Sequence, residues 1–185
     1  DVTSGQAHFE RSTMDGRSYF AASESGLLLP NIALYTPPDL ISPTNGADYI
    51  IITHSAFLQG ANELAEYRAS TGLRTKVVTI EDVYNEFGDG ISHPIAIKNF
   101  LRYAFLNWQG APPSYVVLVG DDNFNTVGSS RYQVSPGWMP PYLGWIDWTQ
   151  GEVDDTNGLA CIVGEDALPD LAIARIPVNS ASEFE

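Results

Sequence analysis

The chain has 185 residues, 44% of them apolar, and a formal net charge of −14 from 23 acidic against nine basic side chains. That balance argues against a nucleic-acid backbone or an anionic membrane surface as partner. The single cysteine, Cys161, leaves no internal disulfide and no multi-cysteine metal site. No run of about 18 apolar residues is present, so no membrane-spanning helix is expected.

Residues 1–46 are rich in Gly, Ser, Pro and Asn, and read as a lead-in with short extended pieces at Tyr19–Ala22 and Ile32–Thr36. The start shows no basic segment followed by an apolar run, so no signal peptide is visible, and the opening at Asp1 reads as an excerpt. From residue 47 the pattern becomes regular. Asp48–Thr53 (DYIIIT), Thr75–Ile80 (TKVVTI) and Tyr115–Asp122 (YVVLVGDD) are β-branched apolar runs separated by amphipathic stretches, which predicts a parallel sheet covered by helices on both faces. The first helix follows Ser55, carries Phe57, Ala61, Leu64, Ala65 and Arg68 on one face, and ends at Gly72. A short helix opens at the Thr79–Asp82 capping pattern. A longer one is predicted with Ser92 as N-cap, Pro94 in its first turn and an apolar stripe through Ile97, Phe100, Leu101, Ala104, Phe105 and Trp108.

Residues 122–170 form an insertion dense in Gly, Pro, Trp and Asp, with Trp138, Trp145 and Trp148 suited either to recognition or to covering the sheet end. Leu171–Val178 (LAIARIPV) supplies a fourth buried strand. Ser180 and Glu183 form a further capping box, so the sequence ends inside a helix that has only begun.

Parallel sheets place chemistry at the carboxyl ends of their strands, here occupied by His54, Glu81 and Asp121–Asp122. Each has a plain alternative. His54 suits a strand–helix junction better than a catalytic base, and His93 suits packing at a helix start. His8 lies in the irregular lead-in. Cys161 has acidic neighbours, Glu165 and Asp166, rather than the positive setting a reactive thiolate needs, and reads as a buried inert thiol. Asp121, Asn123 and Asn125 begin like a calcium loop, but Thr126 and Tyr132 stand where Gly and Glu are required; an irregular calcium site with Asp121 and Asp122 as ligands remains open. Asp154–Asp155 is either a carboxylate pair for a basic substrate side chain or a turn. Nucleophile-elbow, phosphate-loop and HExxH motifs are absent.

The ordered segments ADYIIITH, LAEYRASTGLRTKVVTIEDVY, GDGISHPIAIKNFLRYAFLNW, PPSYVVLVGDD and PDLAIARIPV resemble the gingipain family of cysteine peptidases over residues 47–178. One departure is Ala174, where the family usually has Gly before Arg-Ile-Pro. The resemblance implies a caspase-like, three-layer α-β-α subdomain over residues 47–185, truncated in its last helix. It places the catalytic His and Cys in a second, downstream subdomain, so no catalytic residue is assigned to this chain. It implies that an aspartate ahead of the last strand, Asp154 or Asp155, helps bind a basic P1 side chain, and that calcium, if present, is structural. A secreted or cell-surface setting and a protein or peptide substrate follow from the same resemblance. The alternatives are a non-catalytic recognition or scaffold domain using the Trp-rich loop, and part of a surface-sorting transpeptidase of the same family.

Overall fold

The computed structural model describes residues 2–3, 6–7, 22–122, 137–145, 148–149 and 151–184. The chain forms two compact units, residues 1–36 and 37–185. In the first, strands β1 (Val2–Thr3) and β2 (Gln6–Ala7) pair antiparallel, and a 3-10 turn spans Glu24–Gly26. Ile32–Thr36 is irregular, not extended into a strand as its sequence suggested. Pro30 and the Pro37–Pro38 pair bracket it and remove backbone donors that a ladder would need.

The second unit is built on a four-stranded parallel sheet in the order β4-β3-β5-β8. Its strands are β3 (Tyr49–Thr53), β4 (Thr75–Thr79), β5 (Tyr115–Val119) and β8 (Ala172–Ile176). β3 pairs with both β4 and β5, and all five of its residues are buried, as a central parallel strand requires. Its side chains alternate between two cores. Ile50 and Ile52 join Val116, Leu118 and the stripe of helix α3 (Pro94–Asn107), with helix α2 (Ile80–Phe87) packed on the same face. Tyr49 and Ile51 join Val117, Val119 and the Phe57, Ala61 and Ala65 face of helix α1 (Leu58–Ser70). The expected three-layer α/β architecture is therefore present.

Local signals explain the element ends. Gly72 (φ +94°) follows the last turn of α1, where the left-handed conformation favours glycine. Thr79 caps α2 by accepting from the Asp82 amide at 3.2 Å. The cap of α3 is His93, not Ser92: its Nδ1 accepts from the Ile95 amide at 3.1 Å, and the exposed ring caps rather than packs. Pro94 dictates this, since proline at the first helical position makes the preceding residue extended.

Strand β8 departs from expectation. Ala172 and Ala174 are exposed, so one face of the fourth strand is open over its first residues, while Ile176 on the same face packs on the α1-side core. Residues 37–46 belong to this unit: Leu40 is buried, and its carbonyl accepts from Trp108 Nε1 at 2.9 Å. At the amino edge of the sheet, Arg74 donates to Asp48 through Nε (3.1 Å) and Nη2 (2.6 Å), and to the Ala111 carbonyl at 3.1 Å.

Candidate functional site

The carboxyl edge of the sheet carries two polar clusters. The first follows from the parallel pairing of β3 and β4, which sets Thr53 beside Thr79 and so brings His54 and Ser55 next to Glu81. Glu81 Oε1 accepts from Ser55 Oγ at 2.6 Å and from the Ser55 amide at 3.2 Å, and lies 3.2 Å from His54 Nε2. His54 Nδ1 accepts from the Ala56 amide at 3.1 Å, so the proton sits on Nε2. Both ring nitrogens are committed, and the ring stands edge-on to Trp138 at 4.8 Å between centroids. His54 therefore has no free lone pair for a substrate proton. Ser55 donates to a carboxylate rather than to an imidazole, and no nucleophile–base pair exists here.

The second cluster begins where β5 ends. Gly120 (φ +133°) turns the chain under Trp138, and a Cβ there would lie 2.8 Å from the Trp138 Cβ. The Asp121 amide donates to the Val178 carbonyl at 3.0 Å, and its own carbonyl accepts from the Trp138 and Met139 amides at 3.0 and 3.1 Å. Its carboxylate accepts from the Asp122 amide and from Asn179 Nδ2, each at 3.0 Å. Asp122 Oδ2 lies 3.2 Å from Nη2 of Arg175, which projects from β8 and is only 12% exposed. The same Nη2 lies 3.6 Å from Asp154 Oδ2, at the end of strand β7 (Glu152–Asp154), which pairs antiparallel with β6 (Leu143–Trp145). Burial pushes the Asp122 carboxyl above its ordinary value, and Asp154 and Asp121 add to this, while the Arg175 guanidinium pulls it down.

The adjacent aspartates of the insertion part company. Asp154 Oδ1 accepts from the Tyr142 amide at 3.1 Å and Oδ2 from Thr156 Oγ1 at 2.7 Å, with the side chain still 32% exposed at the edge. Asp155 turns inward and caps the 3-10 turn Thr156–Leu159, accepting from the Gly158 amide at 3.1 Å. Added Cβ atoms on Gly144 and Gly158 would meet the Asp155 side chain at 2.9 and 2.6 Å, so both glycines make room for it. The structure thus brings Asp121, Asp122 and Asp154 into one network and leaves Asp155 as a local cap. Arg175, its centre, was not singled out from sequence. The signal was there: it is one of two basic residues after Asp122, in the interior of an apolar strand.

Calcium finds a poor fit among these groups. Asp122 Oδ2 faces a guanidinium, both Asp121 oxygens already accept protein donors, and no group of three or more potential ligands is assembled among the described residues. Asn123, Asn125, Thr126 and Tyr132 of the calcium-like pattern lie outside the described residues. Cys161 is partly exposed rather than buried, and its Sγ lies 3.6 Å from the Asn157 carbonyl. Trp145 and Trp148 are exposed and stack edge to face at 5.3 Å, whereas Trp138 packs against Phe57 and His54. No helix of the described residues is long and apolar enough to cross a membrane.

No curated protein matches the chain. Solved structures share the fold, among them the following two. A crystal structure of dimeric latent PorU from Porphyromonas gingivalis superimposes with a TM-score of 0.59 at 21% identity, covering 76% of this chain and 15% of that one. A second, described as the structure of a protease, gives 0.53 at 17% identity, covering 74% of this chain and 25% of that one. The chain thus spans a small part of each of these proteins. The model of peptidase family C25 matches residues 42–185, nearly the whole second unit with its parallel sheet and carboxyl-edge clusters. The chain belongs to peptidase family C25, the gingipain family.

Proposed function

We propose that this chain is the first, non-nucleophilic subdomain of a secreted or cell-surface gingipain-like cysteine endopeptidase. The catalytic His and Cys would lie in a second subdomain that this chain does not contain. Family membership supports the peptidase, and one observation carries the non-nucleophilic role: His54, at the end of β3, has Nδ1 occupied by the Ala56 amide and Nε2 facing Glu81 at 3.2 Å. In the complete enzyme a thiolate would attack the scissile carbonyl, the imidazolium would protonate the leaving amine, and water would release the acyl group. This half supplies framework and the wall of the pocket. Asp154, the exposed member of the Arg175 network, is the carboxylate we assign to a basic P1 side chain; Asp155 is held back by its capping role.

The isolated chain should not hydrolyse peptides, and a turnover abolished by Cys161→Ala would overturn this. In the complete enzyme Asp154→Asn should lower kcat/KM for cleavage after Arg or Lys by about tenfold or more, the scale of one lost charged contact, while Asp155→Asn acts mainly on stability. Equal cleavage by wild type and Asp154→Asn would remove the pocket assignment. The exposed Trp145–Trp148 pair favours a second reading, a recognition or scaffold domain. A complete protein with no peptidase activity, whose partner is lost on Trp148→Ala, would establish that instead. Product analysis with an added amine acceptor separates a hydrolase from a sorting transpeptidase.

A further inference from the structure

The β6–β7 hairpin turns one face to solvent. Cross-strand partners in an antiparallel pair point the same way, as do residues two apart on one strand. The register Leu143↔Asp154 and Trp145↔Glu152 therefore puts these four side chains on a single face. All four are exposed, Trp145 at 58%. The opposite face is Gly144 and the half-buried Val153; a Cβ on Gly144 would meet Asp155, so that side is the one turned toward the protein.

Two observations say what this face takes. Glu152 makes no hydrogen bond or ion pair among the described residues, so its carboxylate is an open acceptor directly across the hairpin from Trp145. Trp148, 94% exposed, stands edge to face on Trp145 at 5.3 Å. Large exposed indoles mark binding surfaces. Beside a carboxylate they suit a cation, held by its charge and by the ring quadrupole. The wider setting has the same sign: residues 132–174 carry seven acidic side chains and no Lys or Arg.

We propose that this face is a second basic subsite, which selects a Lys or Arg two positions from the basic residue bound at Asp154 in an extended peptide substrate. Glu152 and Asp154 are two residues apart on β7, a separation of about 7 Å. Alternate side chains of an extended peptide share that spacing and one face. A basic side chain at Asp154 therefore sets its second neighbour over Glu152. There the charged head meets the carboxylate, and the methylene stem lies on Trp145 and Trp148. The residue between points away from the hairpin and is not read. The favoured substrate is thus a basic–any–basic segment. This rests on the Asp154 assignment, which accounts for one of the two basic residues only.

Peptide cleavage by the full-length protein as encoded tests it. The peptides share an Arg at the cleavage position and carry Lys, Ala or Glu at both positions two residues from it. The Lys peptide should exceed the Ala peptide in kcat/KM by about fivefold or more, mostly through KM, the scale of an exposed cation–π contact and ion pair together. The Glu peptide should be the poorest. Glu152→Gln and Trp148→Ala should each bring the Lys-to-Ala ratio within about twofold, and Glu152→Lys should invert the order of the Lys and Glu peptides. A ratio near one in the unaltered protein, or a preference that either Glu152→Gln or Trp148→Ala leaves intact, overturns the proposal. If the ratio is near one while Asp154→Asn still lowers cleavage, the second subsite alone falls. If Asp154→Asn changes nothing, or no Arg peptide is cleaved, the pocket assignment falls and takes this proposal with it.

Discussion

Arg175→Met tests whether the carboxyl edge is held by one guanidinium. Arg175 Nη2 lies 3.2 Å from Asp122, past the end of β5, and 3.6 Å from Asp154, the last residue of β7. At 3.2 Å and an effective dielectric of about 20, the closer attraction is about 5 kcal/mol before desolvation. Methionine keeps the volume and recovers the cost of burying a charge, so the net loss at pH 7 should be about 2–3 kcal/mol, or about 5–10 °C in Tm. The loss depends on pH, with a sign fixed by Asp122. Its folded pKa lies above the ordinary value of 3.8, so its contribution to stability is fully present below that value and is lost as pH rises through the folded one. Arg175 is what pulls that carboxyl down, so removing it extends the penalty at neutral pH. At about pH 3, below the ordinary value and so below the raised folded one, Asp122 keeps its proton, and the variant should lie within about 1 kcal/mol of wild type. Urea unfolding of both proteins at the two pH values, with Asp122→Asn/Arg175→Met as the partial rescue, is the assay. A loss of equal size at both pH values, or a double variant no more stable than Arg175→Met, would refute the reasoning.

Two further outcomes follow from named geometry. Gly120→Ala should cost about 2–4 kcal/mol, because it adds a clash 2.8 Å from the Trp138 Cβ to a strained φ of +133°; Gly151→Ala (φ +71°), with open space around it, should cost only about 1 kcal/mol, and equal losses in thermal unfolding would dismiss the clash. The Asp48 carboxyl is held below its ordinary value by side-chain and backbone hydrogen bonds from Arg74, so its contribution is present above 3.8 and lost as pH falls through the folded pKa. Asp48→Asn should therefore flatten the acid limb of the stability profile, and an unchanged limb counts against that role.

The sheet was legible in sequence because its signal is redundant. Tyr49–Thr53 and Tyr115–Val119 are apolar runs that burial on both faces demands, and the α3 stripe has no other explanation. What failed was local or long-range. The α3 cap moved by one residue because Ser92 was weighed by its cap preference, while Pro94 decides the backbone of the residue before it. β8 read as buried because alanine is apolar; the pattern LAIARIPV cannot say that one face stays open over Ala172 and Ala174. Asp154 and Asp155 are neighbours of the same type, and only the hairpin register of β6 and β7 turns one toward Arg175 and the other into the Gly144–Gly158 niche.

Most polar groups at the carboxyl edge already have partners. His54 spends both nitrogens on a cap and on Glu81. Asp121 spends its two oxygens on the Asp122 amide and on Asn179. Asp122 is half-buried with its Oδ2 facing Arg175, and the Asp155 side chain lies against two glycines. A group so committed takes a new partner only by giving up one it already has. Asp154 differs: it holds Arg175 only at 3.6 Å, remains partly exposed, and sits on a two-stranded hairpin rather than on the main sheet. A basic side chain arriving there would meet a carboxylate already oriented by Tyr142 and Thr156. Binding would then cost little reorganisation, which is the condition for a recognition residue rather than a reacting one.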